Sequence, residues 1–335
     1  MTAIYQDADP PTVVETSALI VVVDLFEANP DDRWFEDELL WILEQTVNSS
    51  DVEFAYKRRL ALDQLASRQK ICDERRTSEV LIEAARKVSP SKPDGSMVAQ
   101  LLGRLANVNE STFQALLKEL QDKNQNQNFL ITVSKVFTSL DAERKRLAVP
   151  PIVKALMQRN TFTQETESLF QALTSTNDIT ARREVTKSVA PYVESVNPFQ
   201  AVYAVKIITR IGGEEVFPQL LKILDRTKRG WYEAHNDTIQ DEIGRYLQEH
   251  PNEEAAPILL ELFKRNPRQE VGYAIAAIKS RAVADKLLDT LEESCKEANW
   301  NVIRPGAMAL EKVNPELLDM KGYYSLGPFF FVFQT

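Results

Sequence analysis

One pentapeptide recurs along the second half of this 335-residue chain: a small aliphatic residue, any residue, Pro, any residue, then Leu or Val. It stands at Val149-Pro150-Pro151-Ile152-Val153, Val189-Ala190-Pro191-Tyr192-Val193, Val216-Phe217-Pro218-Gln219-Leu220, Ala255-Ala256-Pro257-Ile258-Leu259 and Val313-Asn314-Pro315-Glu316-Leu317. A sixth copy, Val283-Ala284-Asp285-Lys286-Leu287, has Asp in place of Pro. Sixteen prolines at ordinary composition would give roughly one such match by chance, so the recurrence is an internal repeat.

The third motif position falls at 151, 191, 218, 257, 285 and 315, in steps of 40, 27, 39, 28 and 30. Positions 151, 218 and 285 are thus equally spaced, 67 apart. A step of 27 to 30 residues holds two helices of about twelve residues and their turns, at about 1.5 Å per residue, and the steps of 39 and 40 hold a longer loop or longer helices. Proline is tolerated in a helix's first turn, where its missing N–H would have no partner, so each motif is expected to open a helix. The preceding helix carries small and aliphatic residues, as at Ala201, Ala204, Val205, Ile207 and Ile208, or Ala274, Ala276, Ala277 and Ile278. Such residues let two helices approach closely, and each pair then needs neighbours to bury its other side.

The stretch from Ala204 to Leu224, with Ile211-Gly212-Gly213 followed by Val216-Phe217-Pro218-Gln219-Leu220, resembles a HEAT repeat of the short kind also found in phycobilisome-lyase-like proteins. The resemblance covers about residues 149–320, is best at 198–228 and fades toward the N-terminus. It implies an all-α, armadillo-type fold: an α-solenoid of HEAT-like helical hairpins, or α–α superhelix. It is nearly silent on activity, because this architecture serves scaffolds, transport receptors, nucleic-acid binders and a few enzymes. The expected organisation is an acidic arm and first helix at 1–53, divergent helical repeats at 54–148, HEAT-like repeats at 149–320 and an aromatic tail or cap at 321–335.

Helical patterns precede the motif region. Trp34, Leu39, Leu40, Ile42 and Leu43 follow a candidate cap at Asp32, and Phe54–Ile71 carries a stripe of Leu60, Leu62, Leu65 and Ile71. Val80, Leu81, Ile82, Ala85 and Val88 lead to Ser89-Pro90-Ser91-Lys92-Pro93-Asp94-Gly95, the best linker candidate. Met97–Leu105 comes next, then Ser111–Leu120 with Ser111 as the expected cap. The polar run at 122–128 reads as a loop before Phe129–Leu140.

Ten glycines, about half the usual share, argue against a β-rich or Rossmann-like protein. Two separated cysteines, Cys72 and Cys295, form no ligand or redox motif and suit a reducing cytoplasm. The apolar run Ala18–Val23 is too short for a signal peptide core, and no segment approaches the roughly 20 apolar residues of a membrane span. A soluble, cytoplasmic protein that does not engage membranes is expected. The net charge of −9 is uneven: residues 1–53 hold thirteen acids and one base, so they carry −12 and the remainder +3. An acidic N-terminal region aids solubility, or it docks on a basic groove elsewhere in the chain.

Catalytic groupings are scarce. His235 and His250 stand without nearby cysteines, and neither H-E-x-x-H nor C-x-x-C occurs, so neither a metal nor a cofactor is expected. Carboxylate pairs such as Glu214-Glu215 and Glu253-Glu254 fit helix first turns. Basic clusters are more informative. Arg226, Lys228 and Arg229 follow one motif helix as Lys264, Arg265 and Arg268 follow the next, beside Trp231 and Tyr232. Stacked in a solenoid these form a positive stripe with an aromatic pair, which suits a phosphate backbone with base stacking. Cations at helix C-termini are also favoured without any ligand.

Two functions follow as expectations. The first is a non-catalytic scaffold or adaptor that binds a protein partner along a concave solenoid surface. The alternative is a nucleic-acid-binding module using the stripe near 226–232 and 264–268. One family of alkylpurine DNA glycosylases is built from HEAT-like repeats and uses an aspartate and tryptophans; Trp231 and Asp237 are the nearest analogues here. Resemblance to bilin lyases lies in the repeat alone. The final residues, with Tyr323, Tyr324, Phe329, Phe330, Phe331 and Phe333, are expected to cap the last repeat or to mediate self-association.

Overall fold

The computed structural model describes residues 33–49, 51–68, 71–122, 126–212, 216–227, 235–297 and 299–313. All regular structure among them is helical: sixteen α-helices, one short 3-10 turn and no strand. The chain forms two compact units, Met1–Val185 and Thr186–Thr335. The first contains α1 (Arg33–Thr46), α2 (Val52–Ser67), α3 (Glu74–Lys87), α4 (Pro93–Val108), α5 (Glu110–Leu120), α6 (Gln127–Ser139), α7 (Ala142–Met157) and α8 (Gln164–Thr174). The boundary falls inside α9 (Ile179–Val193). The second unit continues with α10 (Pro198–Ile211), α11 (Phe217–Thr227), α12 (Asn236–Glu249), α13 (Ala256–Arg265), α14 (Gln269–Ala277), α15 (Arg281–Lys296) and α16 (Trp300–Val313). No helix among the described residues is long and apolar enough to cross a membrane.

Packing follows chain order in both units. In the first, α1, α3, α5 and α7 touch in succession, as do α2, α4, α6 and α8. In the second, α11, α13 and α15 form one such row, and α10, α12, α14 and α16 the other. Sequence neighbours such as α1 and α2, α11 and α12, or α15 and α16 join the rows as hairpins. Even-row helices are buried most fully: every residue from Val271 to Ile278 around α14 is buried, as are Ala201–Val205 of α10. The small residues expected to permit close approach, Ala201, Ala204, Ala274, Ala276 and Ala277, all lie in this core.

Every described motif copy lies on an odd-numbered helix: α7, α9, α11, α13 and α15. Its first and fifth residues are buried in each case: Val149 with Val153, Val189 with Val193, Val216 with Leu220, Ala255 with Leu259, and Val283 with Leu287. Residues four apart share one helix face, whereas the third position, about 200° round from the first, turns away from it. The expectation that each Pro opens a helix holds at Pro218 and Pro257 only. Pro150 and Pro151 lie in the middle of α7, and Pro191 near the end of α9. Pro150 and Pro191 are exposed, so the helix carbonyls they leave without a donor face water instead of the core. The copy at Pro315 lies outside the described residues.

Local signals correct the sequence reading at several points. Asp32 lies outside the described residues. Ile71 falls beyond α2, which ends at Ser67, although its side chain is buried. Asn109, not Ser111, caps α5, accepting from the N–H of Thr112 at 3.0 Å, and the Ser111 hydroxyl donates to that same oxygen. Pro93, Asp94 and Gly95 form the first turn of α4, so the suspected linker is a tight turn between packed helices. The division expected between 148 and 149 falls inside α7. Gly212 supplies the anticipated Ile-Gly turn: its φ of 71° is open to glycine, and its N–H caps α10 by donating to Ile208 O at 3.0 Å.

Buried ion pairs tie the rows of the first unit. Glu36 of α1 is fully buried; its carboxylate accepts from the N–H groups of Cys72 and Asp73, each at 2.7 Å, and lies 3.2 Å from the guanidinium of the equally buried Arg68. Arg58 bridges Asp94 at 2.8 Å and donates to Thr46 O at 2.9 Å, closing the end of α1 against the start of α4. Arg104 donates to the carbonyls of Leu65, Ala66 and Arg68 at the end of α2. Replacing Glu36 with Ala strands a buried guanidinium and two N–H groups, so Glu36→Ala is expected to cost about 3–5 kcal/mol in urea unfolding.

Helix contact in the second unit depends on glycine. A Cβ on Gly244 of α12 would sit 2.9 Å from the carbonyl carbon of Glu270 in α14, which backbone cannot easily vacate. Gly244→Ala should gain about 1 kcal/mol of helix propensity and lose about 1–3 kcal/mol to overpacking. A net drop in the urea midpoint is the expected outcome.

Candidate interaction surface

The proposed stripe divides between described and undescribed residues. Lys228, Arg229, Trp231 and Tyr232 lie outside the described residues, and with them the aromatic half of the nucleic-acid reading. Arg226 lies in the last turn of α11, Lys264 and Arg265 in the last turn of α13, and Arg268 at the N-cap of α14. Gln240 of α12 bonds both Thr227, at the end of α11, and Asn266, just past α13, so these two helix ends lie close together.

Carboxylates occupy that edge too. Glu194, following α9, lies 2.8 Å from Arg226 and 2.5 Å from Lys222 of α11. Lys264 meets Glu293 of α15 at 3.4 Å, and Arg265 meets Glu261 one turn earlier at 3.1 Å. Arg268 reaches Asp237 at 2.9 Å and also Asp241, both on α12. Five bases are thus met by five carboxylates, and the described part of the edge is neutral. The sequence missed this because Glu194 and Arg226 are 32 residues apart, and Asp237 and Arg268 are 31 apart. Only stacking brings them together.

Electrostatics matches the geometry. The Lys222 ammonium bonded to Glu194, with Arg226 beside it, holds that carboxyl below its ordinary value. Arg268 is pushed up, first by its bond to Asp241. A polar network continues inward: Asn266 donates to Asp237 at 2.8 Å and, more weakly, to Gln240 at 3.4 Å, while buried Gln240 donates to Thr227 at 3.1 Å. These bonds fix the α13–α14 connection and the end of α11 against α12. Asp237, the aspartate of the glycosylase comparison, is held in this network by Arg268 and Asn266.

The two histidines sit against aromatic rings, His235 with its centroid 5.2 Å from that of Phe199 and His250 at 4.6 Å from Tyr246. Among the described residues no three His, Cys, Asp or Glu side chains gather as a metal site would require. No protein-family model, curated protein or solved structure is similar to the chain at a significant level.

A depressed carboxylate stabilises the fold above its unfolded value, here the ordinary 4.5, and that contribution is lost as pH falls through the folded value. Glu194→Gln is therefore expected to lower stability near neutral pH and to flatten the further decline on acidification. Urea midpoints measured at about pH 7 and about pH 3.5 check this.

Proposed function

We propose that both units are stacks of HEAT-like helical hairpins and that the chain is a non-catalytic scaffold binding a protein partner along its stacked helices. The observation that supports this is the two-row packing, in which α1–α8 in the first unit and α10–α16 in the second each contact the helix two places along the chain. That arrangement presents a long series of equivalent surface positions, the geometry that suits an extended segment of another protein. The neutral edge at Arg226, Lys264, Arg265 and Arg268 weighs against the nucleic-acid alternative, since phosphate binding draws its free energy from cations that release counterions.

Affinity capture from source lysate with and without nuclease, followed by cross-linking of retained proteins, tests the reading. Nuclease-resistant partners cross-linked to exposed helix residues are expected. Loss of all partners on nuclease treatment, together with oligonucleotide binding at low salt tighter than about 1 μM, would replace scaffold with nucleic-acid binder.

A further inference from the structure

The first unit carries a second basic edge, distinct from the one above. Its odd-row helices α3, α5 and α7 each have lysine in the last turn: Lys87, Lys118 and Lys154. Helix α5 packs against both α3 and α7, and Arg86 in the last turn of α3 pairs with Glu119 in the last turn of α5, so these ends lie side by side. Packed helices stand about 8–10 Å apart, which spreads the three lysines over about 20 Å.

The helix dipole accounts for cations at those three C-termini. It does not account for Lys92, which is the N-cap residue of α4, where a cation is disfavoured and its side chain makes no capping bond. A further ammonium, that of Lys135 from α6, is held at the same turn by Pro90 O and by the Ser96 hydroxyl. Lys87 is paired with Glu83 at 2.8 Å, but Lys92, Lys118 and Lys154 are exposed and pair with no carboxylate among the described residues, unlike the neutralised edge of the second unit. Phe162, in the connection after α7, has 50% of its surface exposed.

We propose that this edge binds an acidic peptide segment of a protein partner in extended form, an inference that rests on the scaffold reading and names the partner's chemistry. One helix spacing matches about three residues of extended chain at about 3.3 Å each, so carboxylates at every third residue meet successive lysines. An apolar residue at one end of the segment covers Phe162. A nucleic-acid strand fits less well. Single-strand binding uses a succession of aromatic platforms, and the chain beyond this edge is acidic overall.

The test is fluorescence anisotropy of the full chain with a labelled peptide of about twelve residues, Glu at every third position and Phe at one end, beside a single-stranded oligonucleotide of similar length. Peptide binding is expected at low salt, weakening about tenfold or more between about 20 and 200 mM NaCl. The double variant Lys118→Glu/Lys154→Glu should lose about tenfold or more, whereas Arg265→Glu in the second unit should change binding less than about twofold. Unchanged circular dichroism melting of both variants shows that folding is not the cause. Absence of peptide binding at low salt, equal loss in Arg265→Glu, or tighter binding of the oligonucleotide overturns the proposal. If a captured partner still cross-links to the helices when the peptide fails, the scaffold reading stands and only this site falls.

Discussion

An amphipathic helix paired in a hairpin buries one side and leaves a second apolar side facing water. In each unit of this protein that second side is covered by the helix two places along the chain, and the remaining packing follows from that requirement. Helix α14 shows the extreme case, with α12 and α16 on its flanks, α13 and α15 as chain neighbours, and every residue from Val271 to Ile278 buried. Close approach leaves no room for a side chain where backbones meet, hence Gly244 against Glu270. Hydrophobic area buried at about 25 cal/mol per Å² drives the stacking, and small residues set how tightly it closes.

Polar groups then fix the register that apolar contact leaves loose. The odd-row helices α3, α5, α7 and α9 start at Asp73, Asn109, Asp141 and Asp178, whose side chains accept from N–H groups two or three residues into the helix. The spacings of 36, 32 and 37 residues are those of one helical pair. Beside these caps run ties between adjacent row members: Glu36 to Cys72 and Asp73, Glu74 to Asn109, and Glu110 to Arg144. A slip of one helix by a residue would break a cap and a cross-row bond together, at about 1 kcal/mol or more for each. Such a slip is therefore strongly opposed.

The pentapeptide disclosed the helical class, because its first and fifth residues are the buried pair of an amphipathic helix. It did not disclose helix starts, since Pro at the outward third position is tolerated mid-helix in α7 as well as in the first turn of α11. The sequence reading placed divergent helical repeats at 54–148, but the register of the first unit's row was not legible in it. Its signal is the series of Asp or Asn caps, four polar residues in a chain rich in them, and without the helices no spacing singles them out. The candidate stripe was half legible: its described bases lie at the ends of α11 and α13, but the acids opposing Arg226 and Lys264 come from 32 and 29 residues away, and only Glu261, opposing Arg265, lies on the same helix. Periodicity along one helix carries no record of what the next one presents.

Charge on such a helical stack is consequently decided largely between helices. In the second unit each described C-terminal base of α11 and α13 meets a carboxylate, within its own helix for Arg265 and on another element for Arg226 and Lys264, and Arg268 bonds two on α12. In the first unit the same division of labour is split by position. Arg76 and Arg144 join row members near the starts of the odd helices, through Asp37 and Glu110, and at the opposite ends Arg86 is engaged across helices with Glu119. Lys92, Lys118 and Lys154 are left outside the internal network. Exposed lysines cost little to keep in water. A cation at the N-cap of α4 works against its own helix, however, and a charge retained against local preference is better explained by what it meets from outside than by the stability of the fold.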